Sequence, residues 1–216
     1  MSVRITSVDK GSPADKARIK AGESLVSING NAIHDILDYQ FYASDKKLVI
    51  ELEDKKVKVR KGEYEDLGLN FETYLMDCKQ HCKNNCVFCF INQLPKGMRE
   101  TLYFKDDDWR LSLIMGNYVT LTNVSDREFE RMIARRVSPL YVSVHATDGA
   151  VRKRMMRSPN SENILSRLTR LHEEGLAFNC QIVLCPGYND GDVLKQTLND
   201  LFALRPECRS VAVVPV

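Results

Sequence analysis

Apolar and polar positions along the chain change rhythm near residue 66, and the two rhythms predict two kinds of domain. Before that point the pattern is short, with turn residues at close intervals. Residues 4–8 alternate as a strand, and Gly11-Ser12-Pro13-Ala14 opens a helical turn in which Ser12 can cap and Pro13 suits the first helical position. Ala17, Ile19 and Gly22 lead into a second strand at 24–28, which ends in the tight turn Asn29-Gly30-Asn31. A helix is expected over 35–43. Strands at 47–52 and 56–60 form a hairpin around Glu53-Asp54-Lys55.

After residue 66 strands alternate with helices. Strands are predicted at 118–121, 140–144, 177–184 and 211–214. Helices are predicted at 126–136 behind a Ser125 cap, at 161–174 stopped by Gly175, and at 192–204 stopped by Pro206. Such alternation predicts a parallel sheet covered by helices. The closing run Val-Ala-Val-Val-Pro-Val is nearly all apolar and expects burial on both faces. A longer chain or a partner is therefore expected to cover it, since an exposed edge of this kind invites aggregation.

Composition narrows the class without choosing a function. Apolar residues make up 44% and charged residues 28%, and the net charge of +2 is too small to suggest a nucleic-acid surface. No stretch approaches the roughly 20 apolar residues that cross a bilayer. The first residues lack the basic-then-apolar layout of a secretion signal. A cytoplasmic protein with no membrane partner is expected.

The cysteines change the picture. Four of the seven fall between residues 78 and 89, which in a cytosolic chain indicates metal rather than disulfides. Cys82, Cys86 and Cys89 are spaced x3 then x2, so three thiolates on one loop can hold three corners of a cubane [4Fe-4S] cluster and leave the fourth iron open. Asn84 and Asn85 can supply left-handed curl to that loop, and Lys79 and Lys83 can ease the charge of the thiolates. The alternative is a structural zinc site with Cys78 as fourth ligand, although zinc knuckles usually pair two separated C-x2-C elements. Cys180, Cys185 and Cys208 lie in apolar segments and read as buried small hydrophobes.

The triplet Cys82/Cys86/Cys89, with Phe88 just before its last cysteine, resembles the signature of the radical SAM enzymes. The resemblance implies a partial (β/α) barrel, here with about five strands where six are usual. It implies that the open iron chelates S-adenosylmethionine, and that an external electron donor reduces the cluster to generate a 5′-deoxyadenosyl radical. It also suggests cofactor contacts at strand ends. In place of the family's Gly-Gly-Glu run the chain has Leu121-Thr122-Asn123, so Thr122 and Asn123 become the candidates there. Ser143 or His145 could meet the ribose, and Arg154 or Arg157 the carboxylate, unless those arginines form a helix-capping basic loop in solvent. The run 181–190 resembles the adenine-side loop.

Residues 1–65 resemble a bacterial PDZ domain in the series Gly-Ser-Pro-Ala…Ala…Ile…Gly-Glu-Ser-Leu…Ile-Asn-Gly. That implies a peptide or protein partner bound at a sheet edge, with Leu67-Gly68-Leu69 standing in for the carboxylate-binding loop, or else a packing module for the catalytic half. Together with the run 88–99, this front resembles a group of bacterial radical SAM iron–sulfur oxidoreductases that normally carry a further C-terminal domain. The expected architecture is therefore α/β: a PDZ-like α+β domain at 1–65 and a C-terminally truncated radical SAM core at 66–216. Its substrate is unassigned. The other reading is a PDZ-like scaffold or redox sensor with a structural iron–sulfur or zinc site.

Overall fold

The computed structural model describes residues 2–216, which divide into one compact unit ending at Lys79 and another beginning at Gln80. The first unit is an antiparallel sheet with two short helices. Strands β1 (Val3–Val8), β2 (Ser24–Ile28), β4 (Lys47–Leu52), β5 (Lys56–Arg60) and β6 (Leu69–Phe71) lie in the order β5-β4-β2-β1-β6, and β3 (Asn31–Ala32) pairs with β2. Period-two burial fixes the register: in β4, Leu48, Ile50 and Leu52 are buried while Lys47 and Val49 face out. The Ser12 hydroxyl caps α1 (Pro13–Lys16) by accepting from the Asp15 amide. The Asp35 carboxylate caps α2 (Ile36–Tyr42) by accepting from the Leu37 and Asp38 amides.

This unit runs beyond residue 65 because β6 takes the edge of β1. Val8 sits opposite Leu69 and Ile5 opposite Phe71, whose ring meets Tyr39 at 5.1 Å. The turn before β6 needs glycine: Gly68 has φ +81°, and a Cβ there would lie 2.3 Å from the Ser12 Cβ. Its amide is already occupied, donating to Asp66 Oδ1 at 2.7 Å.

The second unit is parallel α/β. Strands β7 (Leu140–Ser143), β8 (Phe178–Leu184) and β9 (Cys208–Pro215) form a three-stranded parallel sheet in that order. Helices α3 (Trp109–Met115), α4 (Asp126–Ala134), α5 (Gly149–Met156), α6 (Ile164–Glu173) and α7 (Gly191–Ala203) occupy the connections. The core lies between sheet and helices, where Val142, Phe178, Cys180, Ile182, Met155, Met156, Leu168 and Leu171 are fully buried. Ser125 and Glu128 form a capping box on α4.

Three expectations change. The described strands do not make a barrel; the mixed α/β class holds, with three parallel strands rather than about five. The run 118–121 contributes a single parallel bridge, Val119 to Val142, instead of a strand. Its extension fails for two reasons: the Thr120 amide donates to the Asp107 carboxylate at 2.6 Å, and Leu121 turns left-handed at φ 59°. The apolar run in β9 is not covered among the described residues, where Val213 and Val214 are exposed. No helix among those residues is long and apolar enough to cross a membrane.

Two helices, α3 and α5, lie where the pattern predicts none. In α5 three basic residues, Arg152, Lys153 and Arg154, interrupt any apolar stripe, so 149–156 reads as a loop by periodicity. The helix forms because Asp148 caps it, its side chain accepting from the Val151 amide, and because Arg152, Met155 and Met156 are buried. Its first residue is pressed against the segment before α6: a Cβ on Gly149 would stand 2.8 Å from the Glu162 carbonyl oxygen. Gly→Ala in an ordinary helix stabilises by about 1 kcal/mol. Gly149→Ala is instead expected to destabilise the protein by about 1–3 kcal/mol, as overpacking does. Chemical denaturation reads the sign, and a stabilised variant would refute the tight contact.

Candidate metal centre

The cysteine loop is built on backbone bonds. Before it, the Cys82 amide donates to the Lys105 carbonyl at 2.9 Å, and His81 forms an antiparallel bridge with Asp106. Within it, the amides of Asn85 and Val87 donate to the carbonyls of Met156 and Met155, at 3.1 and 2.9 Å. These two bonds flank Cys86 and dock it on the last turn of α5, where the helix leaves carbonyls without intrahelical partners. A turn from the Cys89 amide to the Cys86 carbonyl, 3.1 Å, closes the triplet.

All three cysteines line one cavity of about 570 Å³ at the C-terminal end of β7 and β8. Ligands bind at that end of parallel α/β sheets. Phe88, Ser143 and His145 join them there, as do Lys105, Asp107, Thr120 and Gln181. Cys78 is exposed and is not part of the wall.

Side-chain bonds run from the loop to the cavity floor. Asn84, buried, donates its amide hydrogens to Cys82 Sγ at 3.4 Å and to Thr120 Oγ1 at 3.1 Å. Its Oδ1 accepts from Thr122 Oγ1 at 2.9 Å. Thr120 in turn donates both its hydroxyl and its amide to Asp107, each at 2.6 Å. Every polar atom of the Asn84 side chain has a partner, which fixes the amide orientation.

The thiols sit in a medium that disfavours their charge. Burial pushes Cys86 up to about 12, with Cys82 and Cys89 adding to the effect and the guanidinium of Arg152 opposing it. Cys82 is raised as well, by burial and then by Asp107, with Asn84 and Lys105 pulling it down. Mutual repulsion among three thiolates is what a bound cation relieves. Burial also pushes the carboxyl of Asp107 up to about 6, although the Thr120 bonds and Arg152 pull it down. His145 is driven down to about 3 by burial and by Arg152. Its Nδ1 accepts from the Val183 amide at 3.2 Å, which sets a neutral ring with the proton on Nε2. That ring packs on Phe88 at 4.6 Å.

The remaining sequence candidates lie elsewhere. Thr122 is buried beneath Asn84, outside the cavity lining. Asn123 joins loop to loop through bonds from its Nδ2 to the carbonyls of Asp107 and His81, 3.1 and 3.4 Å. Arg154 and Arg157 are exposed and outside the cavity. Arg154 stacks over the Tyr188 ring at 5.1 Å, and Arg157 ends α5 in a left-handed conformation. Both sit at the solvent-exposed, capped end of α5, the arrangement of the helix-capping alternative. Neither Asn84 nor Asn85 has a positive φ, so Asn84 acts through its side chain and not through backbone curl. The cations felt by the cysteines are Lys105 and Arg152, where the sequence suggested Lys79 and Lys83.

Four cavity or support residues lacked a sequence signal strong enough to single them out: Lys105, Asp107, Thr120 and Arg152. Asp106 and Asp107 reach the cavity wall while Asp108 caps α3, and the bridge at His81 is what brings this segment beside the cysteine loop.

Comparison with known proteins also gives two parts, but the second begins at residue 61, ahead of the structural boundary after Lys79. A PDZ domain model matches residues 4–54, and a model of the Radical SAM-like domain matches residues 61–211. The chain belongs to the Radical SAM-like domain family, with an N-terminal PDZ domain ahead of it. No curated protein matches the chain closely enough to add a relative.

Asp107 gives this site a pH signature in the metal-free protein. Its folded carboxyl holds a proton more tightly than the unfolded chain does, so its stabilising effect is complete below about pH 4 and is lost as pH rises through about 6. Asp107→Asn is expected to flatten that slope, gaining up to about 3 kcal/mol relative to wild type above pH 7. Urea unfolding of metal-free protein at pH 4, 5, 6 and 7 measures it; parallel curves would count against a buried, raised carboxyl.

Proposed function

We propose that this chain is a radical SAM enzyme whose Cys82, Cys86 and Cys89 hold a [4Fe-4S] cluster with one iron left for S-adenosylmethionine. The observation that carries the reading is that all three cysteines of the x3–x2 triplet line a single cavity, at the end of the parallel sheet where ligands bind. Among the described residues no three His, Cys, Asp or Glu side chains converge to hold a single metal ion. A cubane is held in another way, with each thiolate on its own iron, and three soft sulfur donors suit iron–sulfur chemistry. The residues present therefore fit the group.

When bound and reduced by an external donor, the cluster would supply one electron to the sulfonium of S-adenosylmethionine, releasing methionine and a 5′-deoxyadenosyl radical that takes a hydrogen atom from the substrate. The chain's own residues would do the holding. Asn84 steadies Cys82 and the cavity floor through its three bonds. Ser143, Gln181 and Lys105 are polar side chains of the cavity wall that would face a bound cofactor's ribose and carboxylate, while Asp107 beneath them is held by Thr120. Phe88 and His145, tilted to each other at 59°, offer uncharged aromatic surface on which an aromatic or sulfonium group can rest. Ile91 and Val183 add apolar surface to the cavity wall.

Anaerobic reconstitution with iron and sulfide, reduction with dithionite and addition of S-adenosylmethionine tests this directly. Methionine and 5′-deoxyadenosine are expected in equal amounts. A cluster that assembles but never cleaves the cofactor would favour a redox sensor, and a preparation that holds zinc and refuses iron would favour a structural site. Cys86→Ala is expected to abolish cluster loading while Cys78→Ala leaves iron and sulfide content unchanged. Equal loss from both variants would overturn the assignment of the triplet.

A further inference from the structure

Arg152 is among the largest fully buried side chains of the protein, with 1% of its surface exposed. Its guanidinium makes four hydrogen bonds, and every one ends on a neutral backbone carbonyl. Nε donates to Val144 at 2.8 Å, Nη1 to Ser161 at 2.6 Å, and Nη2 to Thr120 and Ser143 at 2.9 Å each. No carboxylate among the described residues pairs with it. Carbonyls satisfy the donors but leave the charge uncompensated, and a buried cation without an anion is costly. Two acidic groups feel its charge without touching it: Asp107, whose oxygens are bonded to Thr120, and Cys86. Burial lowers the Arg152 guanidinium to about 9, which is the same imbalance seen from the proton's side.

The geometry explains the reach toward Cys86. Arg152 stands one turn before Met156 on α5, and the carbonyls of Met155 and Met156 hold the two amides that flank Cys86. The same helix thus carries the fixed charge and the docking point of the middle cysteine. Two of the four carbonyls belong to the cavity-lining residues Ser143 and Thr120, and a third to Val144, just past the end of β7. The guanidinium cannot swing away without breaking all four bonds.

We infer that Arg152 is a positioning residue that acts as the built-in counter-charge of the metal centre, favouring its reduced state. This rests on the cluster reading above. A cubane on three thiolates is anionic and gains a further negative charge when it takes up one electron, so a fixed cation behind Cys86 lowers the energy of the reduced form more than that of the oxidised form. At an effective dielectric of about 20, any unit charge held within about 10 Å of a redox group changes its reduction equilibrium by roughly tenfold or more. The exposed Arg154 and Arg157 lack this leverage, because water screens them.

The test is an anaerobic redox titration of reconstituted protein, followed by the electron paramagnetic resonance of the reduced cluster. Arg152→Met and Arg152→Gln are expected to load iron and sulfide and to reduce at least about tenfold less favourably, a midpoint lower by about 59 mV or more for a one-electron couple. Arg152→Lys keeps the charge and is expected to stay within about threefold of wild type. A merely structural role would make all three variants behave alike, or leave the midpoint in place. Neutral variants that hold a cubane at the wild-type potential overturn the inference, and so does a lysine variant that falls as far as methionine. If neither neutral variant folds even as metal-free protein while the lysine variant does, the position supplies only its carbonyl bonds and the inference falls. A wild-type protein that assembles no cubane refutes the cluster reading instead, so the two failures are distinguishable.

Discussion

The grip of one buried guanidinium on four backbone carbonyls is the constraint around which the cysteine-lined end of the second unit is arranged. Arg152 ties Ser143 and Val144 at the end of β7 to Thr120, before the left-handed step at Leu121, and to Ser161. A second arginine repeats the device nearby. Arg167 donates to the carbonyls of Leu121 and Val124, at 2.6 and 2.7 Å, while its guanidinium lies over the Phe129 ring. Residues 120–124 therefore hang from two guanidinium forks in place of a sheet ladder. An arginine fork serves well here because its donors are rigid and planar, so each bond formed surrenders little freedom.

From that frame the site follows in layers. Helix α5 offers its terminal carbonyls to the cysteine loop, and the loop turns Asn84 inward to bind Thr120 and Thr122. The cavity floor and the cysteine loop are thus parts of one hydrogen-bonded body. Its electrostatics are divided in the same way, with a neutral imidazole on one wall, a raised carboxyl on the floor and a cation behind the middle cysteine.

Much of this was legible from the residues. Turn chemistry placed strands and helices in the first unit to within a residue or two, because Gly, Pro and Asn there have specific backbone roles. The spacing of Cys82, Cys86 and Cys89 singled out the loop that lines the cavity. Less legible was anything decided by long-range polar bonds. The end of the run 118–121 is taken out of the sheet by Asp107, eleven or more residues away, and no local pattern shows that. The helix around Arg152 was hidden because a buried arginine looks like a solvent-facing one in sequence. Its neighbours Arg154 and Arg157 drew attention for the same reason: charge type is visible along a chain, but burial is not. Leu69–Phe71 is too short to announce itself as a strand, and it forms because the edge of β1 is available.

The docking of the cysteine loop on α5 has a consequence for durability. The bonds at Asn85 and Val87 are between backbone atoms and owe nothing to any metal, and the buried core of Val142, Phe178, Ile182 and Leu168 lies in the strands and helices rather than in the loop. On the proposed cluster reading, oxidative loss of the cofactor would therefore strip the protein of its chemistry without dismantling its scaffold. What remains is an empty but still shaped receptacle, so repair is a matter of refilling rather than refolding.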